Sequence, residues 1–216
     1  MSTRSKILNI AHRGARSVAP ENTLAAAKKA LEFGADLWEC DVALTSDGVP
    51  VIIHDDNLRR TSNAMSVFPN RKPWKVASFL FEELKRLDFG SWYLTTDPFK
   101  MIKTGKLLPE DVQKFVGEPI LTLQEALQFT RENNWGINVE IKDLRGTPGN
   151  DSVVEKVINQ IKDMQMEQKV WISSFNHGYI SQVKDHAPEI RTGALVEWLD
   201  LNPLARMRQT GAQSYN

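Results

Sequence analysis

From residue 38 onward, apolar and acidic side chains alternate with a period of two: Trp38-Glu39-Cys40-Asp41-Val42-Ala43-Leu44-Thr45, followed by Ser46-Asp47-Gly48. In a β-strand that period sends successive side chains to opposite faces. Trp38, Cys40, Val42 and Leu44 then form an apolar face, and Glu39, Asp41 and the small Ala43 the other. A half-buried strand turns its polar face to water. An inner barrel strand turns it into a closed interior, where two carboxylates need a cation, an arginine fork or protons. Asp47-Gly48 supplies the turn that ends the strand.

The other patterns fall around this strand. Lys6 to Ala11 reads as a strand that runs into His12-Arg13-Gly14. Asn22 is placed to cap an alanine-rich helix through Thr23 to Leu31, with Gly34 at its end. Val49 to Ile53 is a short strand ending at His54-Asp55. The stretch from Asp56 to about Pro119 is punctuated by proline and glycine and predicts one helix, at about Phe79 to Leu87. It is too long for a plain connection and too poor in apolar periodicity for its own core, so residues 1–216 read as one domain with an elaborated excursion at about 56–119. Thr122-Leu123-Gln124-Glu125 and Ser152-Val153-Val154-Glu155 are capping-box patterns, opening helices to about Asn133 and Met164. Strands are predicted at Ile137 to Lys142, Val170 to Phe175 and Thr192 to Val196, with a helix at His177 to His186. A last helix starts at Asn202-Pro203 and ends at Gly211, and Ala212 to Tyr215 begins one more strand.

Strands alternating with helices predict an α/β fold with a parallel sheet, and polar groups at several strand ends point to a TIM (β/α)₈-type barrel. A doubly wound sheet is the runner-up, but His12-Arg13-Gly14 is not its glycine fingerprint. The six strands, or seven with the last, fall short of eight. The expectation is therefore a barrel lacking its last one or two βα units, with a gap between its first and last strands.

Composition narrows the function more than the fold. Lys+Arg and Asp+Glu both number 27, a balance that argues against a broad basic face for nucleic acid. The single cysteine, Cys40, excludes an internal disulfide and lies on the apolar face of its strand, where it reads as a small buried hydrophobe. No apolar stretch reaches the length of a membrane span, and no secretory leader is visible at Met1 to Lys6, so a cytoplasmic location is expected.

Four predicted strand ends bring chemistry to one rim: His12 and Arg13, Glu39 and Asp41, His54, and Glu140 with Lys142. Three carboxylates suit one hard divalent cation, Mg²⁺ or Ca²⁺, better than zinc. A metal-free ion network of these acids with Arg13 and Lys142 is the competing reading. Arg13 and Lys142 suit an anionic substrate, and two histidines suit proton transfer near neutral pH. Together these groups point to phosphodiester hydrolysis.

The chain resembles the glycerophosphodiester phosphodiesterase family, barrels related to phosphatidylinositol-specific phospholipases C. The motifs are His12-Arg13-Gly14, Pro20-Glu21-Asn22-Thr23, Glu39-Cys40-Asp41, Thr45-Ser46-Asp47-Gly48, His54-Asp55 and Glu140-Ile141-Lys142, with weaker matches at Leu58-Arg59-Arg60-Thr61, Leu87 to Trp92 and Ser174-Phe175. The resemblance implies one divalent metal on Glu39, Asp41 and Glu140. His12 and His54 would be acid and base in unassigned order, and Arg13 and Lys142 would hold the phosphate. It implies attack by the glycerol 2-hydroxyl through a cyclic phosphate, yielding sn-glycerol 3-phosphate and an alcohol from a small glycerophosphodiester. Phe175 reads equally as a substrate contact or a plain core residue. Two other readings stand beside this one. A lysophospholipase D would need an apolar slot, with Phe68, Phe79, Leu80 and Phe81 as its candidates. A catalytically inactive barrel would bind a phosphorylated ligand. Asp55 reads as orienting its loop, Glu21 and Asn22 as fixing the first loop and helix cap, Arg59-Arg60 as a solvated charge pair, and His177 and His186 as helix-surface or cap residues.

Overall fold

The computed structural model describes residues 7–197 and 202–215. Its seven strands form one sheet: β1 (Ile10–Ala11), β2 (Leu37–Leu44), β3 (Pro50–Ile52), β4 (Ile137–Ile141), β5 (Val170–Ser174), β6 (Arg191–Ala194) and β7 (Ser214–Tyr215). Six of them run parallel in the order β1-β2-β4-β5-β6-β7. Helices connect them: α1 (Leu24–Glu32) before β2, α6 (Leu123–Glu132) before β4, α7 (Val153–Asp163), α8 (His177–His186) and α9 (Pro203–Thr210) before β5, β6 and β7. This is the alternating α/β layout of a barrel wall. Among the described residues β1 and β7 each have one neighbour and do not pair with each other, so the expected gap is present.

One strand departs from expectation. β3 is antiparallel to β2 and lies off the parallel path, pairing Val42 with Ile52 and Leu44 with Pro50. The loop between them explains it. Thr45 N–H donates to the Val49 carbonyl at 3.1 Å and Gly48 N–H to the Thr45 carbonyl at 3.0 Å. A hairpin that tight returns the chain alongside itself, whereas a parallel partner needs a crossover of a dozen residues or more. The next parallel stave, β4, arrives only after the excursion.

β2 is buried along its whole length, on both faces. On one side Trp38 is fully buried, donates Nε1–H to Thr130 Oγ1 at 2.9 Å and stacks on Trp135. α7 packs Val153, Val154, Val157, Ile158 and Ile161 against the sheet, each buried side chain contributing about 1.5–3 kcal/mol. Cys40 is buried beside them, and burial, then the Glu39 charge, push its thiol well above the ordinary range, which leaves it unreactive.

The excursion holds short pieces: α2 (Ala64–Val67), a 3₁₀ turn at Val76–Ser78, α3 (Phe81–Leu84), α4 (Ser91–Thr96) and α5 (Pro109–Gln113). The helix expected at Phe79 to Leu87 is therefore a single turn, because Phe79 and Leu80 are extended. Tyr93, Val112 and Phe115 pack against Ala19 and Ala26 of the first βα unit, and the Tyr93 hydroxyl donates to the Ser17 carbonyl at 2.6 Å. The excursion thus shares its apolar contacts with the barrel wall. Phe79 is fully buried against Phe68 and is not free to line an acyl slot, whereas Phe68 and Phe81 are partly buried on the main core and Leu80 is 49% exposed. Among the described residues no helix is long and apolar enough to cross a membrane.

Candidate active site

Two neighbouring strands position the acids. Glu39 and Asp41 are two apart on β2 and share a face, and Asp41 lies opposite Glu140 of β4 in the parallel register. All three are buried, and each brings one carboxylate oxygen within 4.8 Å of the others. Burial, then the Asp41 charge, hold the Glu39 carboxyl well above its ordinary value, and the same two causes raise Glu140. Lys142 answers part of this charge. Its Nζ donates to Glu140 Oε1 at 2.8 Å and stands 3.4 Å from Asp41 Oδ1. Burial works to lower the Lys142 ammonium, but the Asp41 and Glu140 charges outweigh it and hold it above its usual value.

The first loop answers the rest. Its backbone turns left-handed at Arg13 (φ 58°) and Gly14 (φ 74°). That turn aims Arg13 N–H at Glu39 Oε2, 2.7 Å away. A side chain at Gly14 would stand 2.7 Å from the backbone of Ala26, so the motif's glycine is where α1 crosses the loop. Arg13 Nη1 donates to Glu21 at 3.0 Å, while Nε lies 3.5 Å from Asp41 Oδ2 without making a hydrogen bond. His12 Nε2 stands 3.9 Å from Glu39 Oε2, and burial, then the Arg13 charge, lower its ring below the ordinary value. His54 enters from β3, with Nδ1 2.8 Å from Asp55 Oδ1. Phe175 stands 41% exposed just beyond β5.

Two residues read as minor in the sequence belong to this site. Asn22 does not cap α1; Thr23 does, accepting from Ala26 N–H. Asn22 sits at φ 59° and turns its buried amide onto Asp41, donating Nδ2–H to Oδ2 at 2.8 Å and accepting Asp41 N–H at 3.2 Å. Arg60 is not simply solvated. It donates to both oxygens of Glu21 (2.7 and 2.9 Å) and both of Asp55 (2.8 and 2.8 Å). The signal for Asn22 was its place in Pro20-Glu21-Asn22-Thr23; for Arg60 it was its place in Leu58-Arg59-Arg60-Thr61. His177, on the far side of the sheet order, places Nε2 2.9 Å from the Leu195 carbonyl.

The donor set fits a hard cation. It is all carboxylate oxygen, with no thiol, and Glu39 Oε1 and Asp41 Oδ1 are buried without a hydrogen bond. Comparison with known proteins agrees in kind: the profile of the glycerophosphoryl diester phosphodiesterase family matches residues 12–212. The chain belongs to this family. Membership carries the enzyme class, phosphoric diester hydrolase. A glycerophosphodiester phosphodiesterase of Caldanaerobacter subterraneus subsp. tengcongensis is 40% identical over 192 residues, 89% of this chain and 68% of that one. The glycerophosphoinositol inositolphosphodiesterase GDPD2 of Mus musculus is 35% identical over 84% of this chain, which spans only 33% of that protein. Among solved structures, an Oleispira antarctica phosphodiesterase in complex with the product sn-glycerol-3-phosphate superposes with a TM-score of 0.71 at 29% identity, covering 95% of this chain and 72% of that one. A glycerophosphodiester phosphodiesterase from Agrobacterium tumefaciens gives 0.71 at 27% identity, covering 97% and 75%.

Proposed function

We propose that this family member hydrolyses glycerophosphodiesters to sn-glycerol 3-phosphate and an alcohol. The observation that carries the reading is the buried Glu39–Asp41–Glu140 cluster with two carboxylate oxygens lacking a hydrogen bond. Glu39, Asp41 and Glu140 would hold one divalent cation, Mg²⁺ or Ca²⁺, which supplies Lewis acidity and a template for the phosphate and the attacking hydroxyl. Arg13 and Lys142, both partly buried beside the cluster, would bind phosphate oxygens and offset their charge. Of His12 and His54, one takes the proton of the attacking 2-hydroxyl and the other gives a proton to the departing alkoxide; their roles reverse when water opens the cyclic phosphate. Phe175, exposed just beyond β5, would serve as an apolar contact for substrate.

The test is release of glycerol 3-phosphate from glycerophosphocholine with Mg²⁺ or Ca²⁺, repeated with chelator. Release that chelator abolishes is expected. Release unaffected by chelator would remove the metal role, and no release with either ion would count against the substrate. The mouse relative's name adds glycerophosphoinositol as a second substrate, with inositol phosphate followed as the alternative product.

A further inference from the structure

Arg60 stands at a junction that the proposed chemistry does not use. Its three guanidinium nitrogens make four hydrogen bonds to two carboxylates from different loops. Nε and Nη2 grip Asp55, and Nη1 and Nη2 grip Glu21, in two bidentate forks of 2.7–2.9 Å. Such forks fix orientation as well as charge. The Trp92 ring of α4 lies 5.8 Å from the guanidinium carbon, so the excursion flanks the junction on one side while Arg60 stays 41% exposed.

What lies behind each carboxylate gives the junction its meaning. Asp55 Oδ1 is 2.8 Å from His54 Nδ1. Both Asp55 oxygens accept from the Arg60 guanidinium in a charge-assisted fork, which keeps the carboxylate ionised and able only to accept. The proton therefore sits on Nδ1 of His54, and Nε2 is left for the reaction. Glu21 Oε1 also accepts from Arg13 Nη1 at 3.0 Å. One continuous chain, His54–Asp55–Arg60–Glu21–Arg13, thus joins the hairpin histidine to the arginine of the first loop, and Arg60 is its only member that touches both halves.

We propose that Arg60 is a positioning residue that fixes the ring of His54 through Asp55 and the guanidinium of Arg13 through Glu21 as a single unit. It touches neither the acid cluster nor the reacting groups. The inference rests on the proposed hydrolysis for its consequence, but not for its geometry. Lysine keeps the charge and cannot fork onto two carboxylates at once, so charge alone does not substitute.

The experiment compares wild type with Arg60→Gln, Arg60→Lys and, as a control on the neighbouring exposed arginine, Arg59→Gln. Nitrogen-15 NMR of the histidine rings, with the His54 signals assigned by His54→Asn, reads which ring nitrogen carries the proton; no substrate is needed. Steady-state kinetics with glycerophosphocholine read kcat and KM on the same samples. The Nδ1-protonated form of His54 should dominate in wild type and Arg59→Gln, and the Nε2-protonated form should appear in both Arg60 variants. The kcat of both should fall about a hundredfold, the scale of a misplaced catalytic group. An unchanged His54 tautomer in both Arg60 variants overturns the proposal, as does restoration of wild-type kcat by lysine. A wild type that turns over no glycerophosphodiester refutes the proposed function alone, because the tautomer still decides the role of Arg60.

Discussion

Asn22 offers the sharpest test of how the acid cluster is held. Replacing it with alanine removes two hydrogen bonds in a buried place: the amide to Asp41 Oδ2 at 2.8 Å and the Asp41 N–H to its carbonyl at 3.2 Å. The first involves a carboxylate and is worth about 1.5–3 kcal/mol, the second about 1 kcal/mol. Alanine must also adopt φ 59°, which costs roughly 1 kcal/mol more than asparagine there. The sum is about 4 kcal/mol, a large part of the roughly 5–15 kcal/mol that holds a domain folded. Asn22→Gly loses the same bonds without the backbone penalty and should lie about 1 kcal/mol above the alanine variant. Urea unfolding at pH 7 in the presence of chelator, followed by circular dichroism, measures both. An alanine variant within about 0.5 kcal/mol of wild type would show that the Asn22–Asp41 bonds are not holding the cluster.

Two further outcomes follow from the same geometry. Glu39 and Glu140 have folded-state values above their ordinary 4.5, so their contribution is fully present below that value and is lost as pH rises through the raised values. In chelator the thermal midpoint should therefore fall with rising pH above about 4.5, and Glu39→Gln should flatten the slope; added Mg²⁺ or Ca²⁺ should raise the midpoint more at high pH than at low. Asp55 has the opposite sign, its contribution being lost only as pH falls below 3.8, outside that window. A slope unchanged by Glu39→Gln would remove the cause assigned to it. Gly14→Ala must place a methyl group 2.7 Å from Ala26 at φ 74° and should cost at least roughly 2 kcal/mol by urea unfolding, where a neutral result would mean that α1 can shift away.

The layout was legible wherever local pattern and tertiary role coincide. β2 declared itself by alternation, and α6 by a capping box in which Thr122 and Glu125 reciprocate as expected. Ser152 shows the limit. Its sequence has the same form, yet it makes no side-chain cap bond. The direction of the short strand after β2 was marked by Asp47-Gly48, a tight-turn pair that returns the chain antiparallel, and the alternating α/β pattern masked it. Asn22 and Arg60 were misjudged for a different reason. Asparagine before a helix is a good cap, and paired arginines are usually solvated, so local statistics give the bland answer. Their partners lie 19 residues away for Asn22 and 39 for the Arg60–Glu21 contact, distances over which single-chain patterning carries no signal.

The charge balance explains why the cluster needs something more than its own side chains. The ion-paired groups linked around the acid cluster comprise five carboxylates (Glu21, Glu39, Asp41, Asp55 and Glu140) and three fixed cations (Arg13, Arg60 and Lys142). Arg60 is committed to Glu21 and Asp55, which leaves Arg13, itself also bonded to Glu21, and Lys142 to serve the three inner acids. The excess of two negative charges falls in a buried place, where uncompensated charge is costly. Glu39 and Glu140 are the two acids whose carboxyls are pushed above their ordinary range, by burial and then by the Asp41 charge, so protons and a cation are alternative answers to the same excess. One divalent cation carries the same charge as two protons and would compete with them for the same oxygens. On the proposed metal role, ion binding and loss of those protons are linked, so stabilisation by the cation should grow with pH.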